Sequence, residues 1–552
     1  MTNEVQLINK TEKMIDEIKS VCANYGLSGA SSEYKIITEI FLYKYLNDKF
    51  LCEIKRIADK LTKNATMKEV EQYLNSLSAE EYSLLVMEKN PNVAKIRKDY
   101  LISYLFNNQN TTTPEFYELF DNALEGISND NFGIFSVKTG SKDTIKLFTP
   151  LSQYIPESNK RNAFFRAIIS KLVEFSFEEA FEEKYDFFSI IFEYLIKDYN
   201  KDFGKYAEYY TPNSIARIIA RIMVPNKVQN VTVYDPAAGS GTLILALAHQ
   251  IGEENCTIYT QDISQKSSEL LRLNLILNNL VHSLGNVIHG DTLLNPAHLN
   301  DQKNGLKKFD FIVSNPPFKM DFSETRNELA DDKFKDRFFA GVPNIPKKDK
   351  DSMAIYLLFI QHILYSLKEE GKAAIVVPTG FLTAKNGIEL EIRKLIIEKG
   401  WLRGVISMPS DIFANTNTSV SVLFVDKQNK NQTGFLMDAS LLGKIVKDEK
   451  GNQKTILPPE CAEKIIDFFL NKKEEDGFAV DVDYEKIKNR NYKFSAGQYF
   501  NINIEYEEIS DADLSQRLND DIERISELIN ENNTINDNLL NCLKDLKNEK
   551  NL

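Results

Sequence analysis

Two short stretches hold residue types whose spacing fits one chemistry. The first, Val233-Tyr234-Asp235-Pro236-Ala237-Ala238-Gly239-Ser240-Gly241-Thr242, reads as a strand running into a glycine turn. Glycine lets the backbone come close to a ligand, and a helix starting there offers free N–H groups. In an open parallel sheet, ligands bind at the carboxyl ends of the strands. Asp262 ends the next strand, where an acid suits ribose hydroxyls, and Asp291 ends the third, where it can accept from an adenine amino group. A glycine turn alone would serve equally as a structural turn. The ordered series of turn, acid and acid points to a nucleoside-type cofactor.

The second stretch, Phe311-Ile312-Val313-Ser314-Asn315-Pro316-Pro317-Phe318, is a strand with a rigid polar tip capped by an aromatic. Adenine N6 is a poor nucleophile because its lone pair is delocalised into the ring. Two acceptors set against its two hydrogens favour a more pyramidal, more nucleophilic nitrogen. The Asn315 side-chain oxygen supplies one. The Pro316 carbonyl supplies the other, held by Pro316 and Pro317, which restrict the chain on both sides. Phe318 offers a face for an extruded base. Attack on a sulfonium methyl then needs mainly alignment. The pair therefore reads as a methyl donor at one strand end and an adenine at another.

Other chemistries fit less well. Methylation at a cytosine carbon needs a cysteine nucleophile, and no Pro-Cys pair exists; Cys461 lies far from both motifs. There is no Walker P-loop. His249, His282, His289, His298 and His362 show no metal spacing, so no metal site is expected. Cys22, Cys52, Cys256, Cys461 and Cys542 form no Cys-x-x-Cys pair, which argues against a disulfide framework or thiolate zinc.

The elements around the two stretches alternate. Strands are expected at 231–234, 257–261, 309–314, 373–377, 402–407 and 419–426. Helices are expected at 243–251, 266–279, 353–367 and 389–398. That alternation predicts a parallel sheet with helices on both faces. Pro212 sits where a helix starts, with Thr211 as its N-cap and Ile215, Ile218, Ile219 and Ile222 along it. Residues 1–165 read as a helical domain, with helices over 67–87 and 162–181 and a loop at 107–113. An amphipathic helix is expected over 185–198. Residues 166–430 read as the catalytic domain and 431–552 as a C-terminal segment. There, Leu514, Leu518, Ile522, Ile525 and Ile529, then Ile535, Leu539, Leu543 and Leu546, make an apolar helical seam, with a break expected around 530–533. The polar stretch 319–351 reads as a loop carrying Lys347, Lys348 and Lys350.

With 552 residues, 43% of them apolar and 27% charged, the chain is expected to form two or three globular domains. No run reaches the length of a membrane span, and Met1 to Lys13 has no signal-peptide character, so a cytoplasmic protein is expected. A net charge of −13 suggests that much of any grip on DNA comes from another subunit, because phosphate neutralisation dominates such binding.

At these residues the chain resembles class I S-adenosylmethionine-dependent N6-adenine DNA methyltransferases, and more closely the modification subunits of type I restriction-modification systems. Ser32-Glu33-Tyr34 with Phe41 through Phe50 is similar to that family's N-terminal helical domain. Glu208-Tyr209-Tyr210-Thr211-Pro212, followed by Asn213, resembles its Phe/Tyr-Thr-Pro segment, which closes over the methionine end of the cofactor. Asp235 to Thr242 matches its Asp-Pro-Ala-Cys-Gly-Ser-Gly-Gly turn, with Ala238 and Thr242 as departures. Asp262 stands where the family often has glutamate. Asn315 to Phe318 matches fully. Val377-Pro378 and Ser495 to Phe500 fit later family segments, the second loosely.

The resemblance implies a Rossmann-like, mostly parallel sheet with an N-terminal helical domain and a C-terminal helical tail. It implies S-adenosylmethionine as cofactor, held by Glu208 to Asn213, Asp235, Gly239 to Thr242, Asp262 and Asp291. It implies transfer to adenine flipped from double-stranded DNA, with Asn315 to Phe318 at the chemistry. A separate specificity subunit would read the DNA and meet the terminal helices. A second modification subunit and a restriction subunit are further partners that the resemblance admits. Alternative readings are a stand-alone adenine DNA methylase, a protein-glutamine methyltransferase, whose class also uses Asn-Pro-Pro with an aromatic, and an inactive scaffold subunit.

Overall fold

The computed structural model describes residues 3–28, 31–62, 64–135, 137–139, 144–182, 191, 194, 211–413, 419–447, 453–500 and 511–549. Two compact units result, Met1–Phe500 and Asn501–Leu552.

The first unit is built on one large sheet. Its strands are β1 (Val137–Thr139), β2 (Thr144–Ile145), β3 (Val231–Asp235), β4 (Cys256–Asp262), β5 (Val287–His289), β6 (Phe309–Ser314), β7 (Leu367–Pro378), β8 (Leu402–Ser407), β9 (Val420–Asp426) and β10 (Thr433–Asp438). After a separate hairpin of β11 (Lys444–Lys447) and β12 (Gln453–Ile456) comes β13 (Ala479–Asp483). The order across the sheet is β13-β10-β8-β9-β7-β6-β3-β4-β5-β1-β2. The central strands carry apolar runs, 311–313 on β6 and 373–377 on β7, because both faces are covered there. On β6 and β7, Phe311, Val313, Ala374 and Val376 enter the core on one face. Their neighbours Ile312, Ala373, Ile375 and Val377 enter the core on the other.

The centre of the sheet is parallel, as expected, from β5 through β4, β3 and β6 to β7. The sheet is mostly parallel, as expected; the departure in this half is β9, which runs antiparallel between β7 and β8. Residues 408–419 link β8 to β9, at the lower limit of the dozen or more residues, usually helical, that a parallel crossover needs, and no helix is described among them. β2 and β13 are also antiparallel to their neighbours.

The N-terminal helices pack on the sheet's cover. Helix Ser31–Ile57 buries Ile36, Ile37, Ile40, Phe41 and Tyr45. Tyr45 Oη donates to the Leu277 carbonyl at 3.1 Å, and Lys35 Nζ pairs with Glu269 at 3.2 Å. Both partners lie on the helix Gln265–Leu277 that covers β4. The single helix expected over 67–87 is two, Met67–Ser76 and Ala79–Glu88. Each begins with a reciprocal capping box, Thr66 with Glu69 and Ser78 with Glu81. Ser78 and Glu81 lie inside the apolar periodicity and satisfy a second set of helix-start donors, so the chain restarts there. The helix expected over 162–181 is Ser158–Val173, followed by a 3-10 turn, Glu178–Glu182. Of the helix expected over 185–198, all but residues 191 and 194 lie outside the described residues.

The second unit contains one helix, Asp511–Glu549, which runs unbroken through 530–533. Asparagine lowers helix propensity only slightly, and neither glycine nor proline occurs in this segment. Leu518, Ile522, Ile525, Ile529, Ile535 and Leu539 are exposed along it. Among the described residues, no helix is long and apolar enough to cross a membrane.

Candidate active site at the strand ends

β3 lies between β4 on one side and β6 on the other, so the strand order reverses at β3. The crevice at the carboxyl ends beside such a reversal is the usual ligand site of an open α/β sheet. Asp235, Asp262 and Asn315 close or follow the three strands that meet there, and Asp291 follows β5.

The turn after β3 is held from several sides. Gly239 has φ +52° and Gly241 φ +89°, a region that glycine adopts without strain. The Gly239 amide donates to Asp262 Oδ2 at 2.9 Å. Asn274 Nδ2 donates to the Ser240 carbonyl at 3.1 Å. A Cβ on Gly241 would lie 2.2 Å from a Leu271 methyl, so Gly241 serves turn and helix packing. Thr242 begins helix Thr242–Ile251, and its hydroxyl lies 3.4 Å from that of Ser240.

Asp235 is 2% exposed. Its Oδ1 accepts from the Ala237 amide at 3.0 Å and from Ser314 Oγ at 2.9 Å. Burial pushes its carboxyl up to about 7, against those two hydrogen bonds, and the Asp262 charge adds to the rise. Burial also raises the Asp262 carboxyl, opposed by the amides of Ser264 and Gly239. Asp291 Oδ1 accepts from the Leu293 and Leu294 amides at 2.8 and 3.1 Å.

Asn315 is 6% exposed, and its Nδ2 donates to Thr211 Oγ1 at 3.2 Å. The expected N-cap role of Thr211 is not seen. Pro212 caps helix Asn213–Met223 without a side-chain bond, and the Thr211 hydroxyl is engaged by Asn315. Pro316 is buried, and Phe318, half-buried, meets Tyr356 edge to face at 6.3 Å.

These residues surround a cavity of about 380 Å³. Small-molecule sites commonly span about 300–1,000 Å³. Of the residues expected at the site, Gly239, Ser240, Asp262, Asp291, Asn315 and Pro317 line it. Thr211, Asp235 and Thr242 line a narrow cleft beside it, and Ala237, Ser240 and Asn315 border both spaces. Pro212, Asn213, Gly241, Pro316 and Phe318 line neither. Glu208, Tyr209 and Tyr210 lie outside the described residues.

Sequence reasoning missed one wall. Met320, Phe322, Thr325 and Leu329, from the polar stretch 319–351, face the cavity. The Met320 amide donates to the Met353 carbonyl at 3.1 Å, which closes this loop at its base. Phe322, Leu329 and Phe338 pack with Leu293, Met353 and Leu358. Buried Arg337 stacks on Phe334 and Phe338 and donates to the Leu293 carbonyl. The isolated apolar residues inside the polar run were the available signal. Ile263, 57% exposed, adds apolar surface beside Asp262. Among the described residues, no cluster of histidine, cysteine or carboxylates could hold a metal ion.

The geometry suits S-adenosylmethionine. A glycine turn, half-buried acids at successive strand ends and an apolar wall match a nucleoside with a charged tail. Comparison with known proteins gives the family. The family model for N-6 DNA methylases matches residues 183–508. The type I restriction enzyme MpnII methylase subunit of Mycoplasma pneumoniae is 34% identical over 329 residues, 58% of this chain and 57% of that protein. The MjaIX methylase subunit of Methanocaldococcus jannaschii is 25% identical over 492 residues, 86% of this chain and 81% of its own. Aligned segments thus span little more than half of the MpnII subunit. The crystal structure of a type I restriction-modification methyltransferase subunit from Streptococcus thermophilus shares the fold, with a TM-score of 0.69 at 21% identity, over 90% of this chain and all of that one. With more than half of its length matched by the family model, the chain belongs to the N-6 DNA methylase family.

Proposed function

We propose that this chain transfers a methyl group from S-adenosylmethionine to N6 of an adenine flipped out of double-stranded DNA. We propose further that it acts in the cytoplasm as the modification subunit of a type I assembly, on a target read by a specificity subunit. The observation that carries the reading is that Asn315, from the Asn-Pro-Pro-Phe tip, borders the same cavity as Gly239, Asp262 and Asp291.

When bound, S-adenosylmethionine supplies an electrophilic methyl carbon. Asp262, already fixed by two backbone amides, accepts from ribose hydroxyls through its remaining lone pairs. Asp291 accepts from the cofactor's adenine amino group, and Ile263 and Leu293 cover its base. Gly239 and Ser240 let the backbone approach the cofactor. At the acceptor side, Asn315 Oδ1 and the Pro316 carbonyl take the two N6 hydrogens, and Phe318 turns its face to the flipped base. They hold the nitrogen in line and keep its departing proton in a hydrogen bond. A net charge of −13 supports a division of labour in which a partner grips the DNA.

A tritiated-methyl transfer assay tests this, using the chain with and without a specificity subunit and unmodified DNA as acceptor. Incorporation that requires both subunits supports the proposal. Full sequence-specific incorporation by the chain alone removes the division of labour.

A further inference from the structure

Asn315 has two edges with opposite hydrogen-bond character. For its Oδ1 to accept from adenine N6, its Nδ2 must be held by an acceptor elsewhere, because the side chain is 6% exposed and an unmet buried donor is costly. The structure shows that acceptor. Thr211 Oγ1 takes the Nδ2 hydrogen at 3.2 Å, across 104 residues of chain. Thr211 is itself 4% exposed, and Pro212 after it restricts its backbone. The hydroxyl therefore stands at a defined place in the narrow cleft, and Asn315 borders both that cleft and the cavity.

We infer that Thr211 is a positioning residue for the transfer step: its hydroxyl, bonded to the Asn315 amide, anchors that side chain at the place where its oxygen meets adenine N6. This rests on the methyltransferase reading and assigns Thr211 a task separate from cofactor contact. Without that anchor the amide could swing away from the position at which its oxygen meets N6, and the base would not be held in line. Valine at 211 keeps the shape but removes the acceptor. Serine keeps the acceptor and loses only a methyl group.

The test uses the tagged full-length chain purified from its host with the subunits that accompany it. Chromosomal DNA from a strain lacking the gene is the acceptor. Thr211→Val should lower the single-turnover transfer rate at saturating S-adenosylmethionine by about 10- to 100-fold, the size of a misplaced catalytic group. Its calorimetric Kd for S-adenosylmethionine should stay within about threefold of wild type, since the loss falls on the transfer step. Thr211→Ser should restore the rate to within about threefold, with thermal melts checking that both variants fold. A Thr211→Val chain with unchanged rate at saturation overturns the inference, whether or not its Kd rises. So does a Thr211→Ser chain as slow as Thr211→Val. A wild-type complex that binds no S-adenosylmethionine overturns the underlying reading instead.

Discussion

Ser314 Oγ lies 2.9 Å from Asp235 Oδ1, and this hydrogen bond joins the carboxyl ends of β6 and β3. These are the two strands that carry the proposed acceptor and donor motifs. The bond is fully buried, with Ser314 at 0% and Asp235 at 2% exposure. It makes the relative placement of Asp235 and Asn315 a property of the sheet, independent of the loops. Flanked by it, Thr232 donates through its amide and hydroxyl to Asp310 at 2.9 and 2.7 Å, at the opposite ends of the same strands.

Burial of Asp235 has a consequence for pH. Its folded carboxyl, at about 7, lies above the ordinary value of 3.8. Between those values the folded chain holds a proton that the unfolded chain has released. The stability contributed by this group therefore falls as pH rises through that window and levels off above it. Asp235→Asn cannot titrate. The melting temperature of the variant relative to wild type should rise from about pH 5 to about pH 8. Melts that track each other across this range would contradict the account.

Asp262 holds the Gly239 and Ser264 amides and is proposed to hold the cofactor ribose. Asp262→Ala removes a charged acceptor, a loss of about 1.5–3 kcal/mol per bond. S-adenosylmethionine affinity should fall about 10- to 100-fold by calorimetry. An unchanged Kd would remove Asp262 from the cofactor site.

Asn315→Ala should separate binding from chemistry. The cofactor Kd should move less than about threefold, while single-turnover transfer falls by at least about 100-fold, as when an oriented transition-state partner is lost. Full activity in this variant would be incompatible with the proposed role of the tip.

Gly404, on β8, gives a control away from the cavity. A Cβ there would lie 2.3 Å from the Phe435 carbonyl oxygen and 2.8 Å from the Phe469 ring. Gly404→Ala should destabilise by about 1–3 kcal/mol in urea denaturation, the cost of overpacking against backbone. Wild-type stability in this variant would mean that β8 and β10 separate more easily than the sheet implies.

Much of this frame was readable in the residues. Short runs rich in valine, isoleucine and aromatics, ending in Asp235, Asp262 and Ser314, located β3, β4 and β6, because a central parallel strand is buried on both faces and its end is where polar groups can collect. Asn315 could be singled out because two prolines after a buried strand leave few conformations. The pairing of Thr211 with Asn315 was not readable, since it joins residues 104 positions apart and depends on how helix Asn213–Met223 docks. Nor was the wall from Met320, Phe322 and Leu329, whose apolar side chains follow no helical or strand period within a polar run. The turn in direction at β9 depends on the length of a connection. Continuity of the terminal helix through Asn530 to Asn533 shows that a cluster of weak helix formers does not end a helix that lacks a stop signal.

The central claim is the identity of the methylated atom. DNA incubated with the purified complex and S-adenosylmethionine should be digested to nucleosides and resolved by mass spectrometry against N6-methyladenosine, N4-methylcytidine and C5-methylcytidine deoxy standards. The account predicts N6-methyl-deoxyadenosine alone, absent with Asn315→Ala. A methylated cytosine, or N6-methyl-deoxyadenosine at wild-type level with that variant, would contradict it.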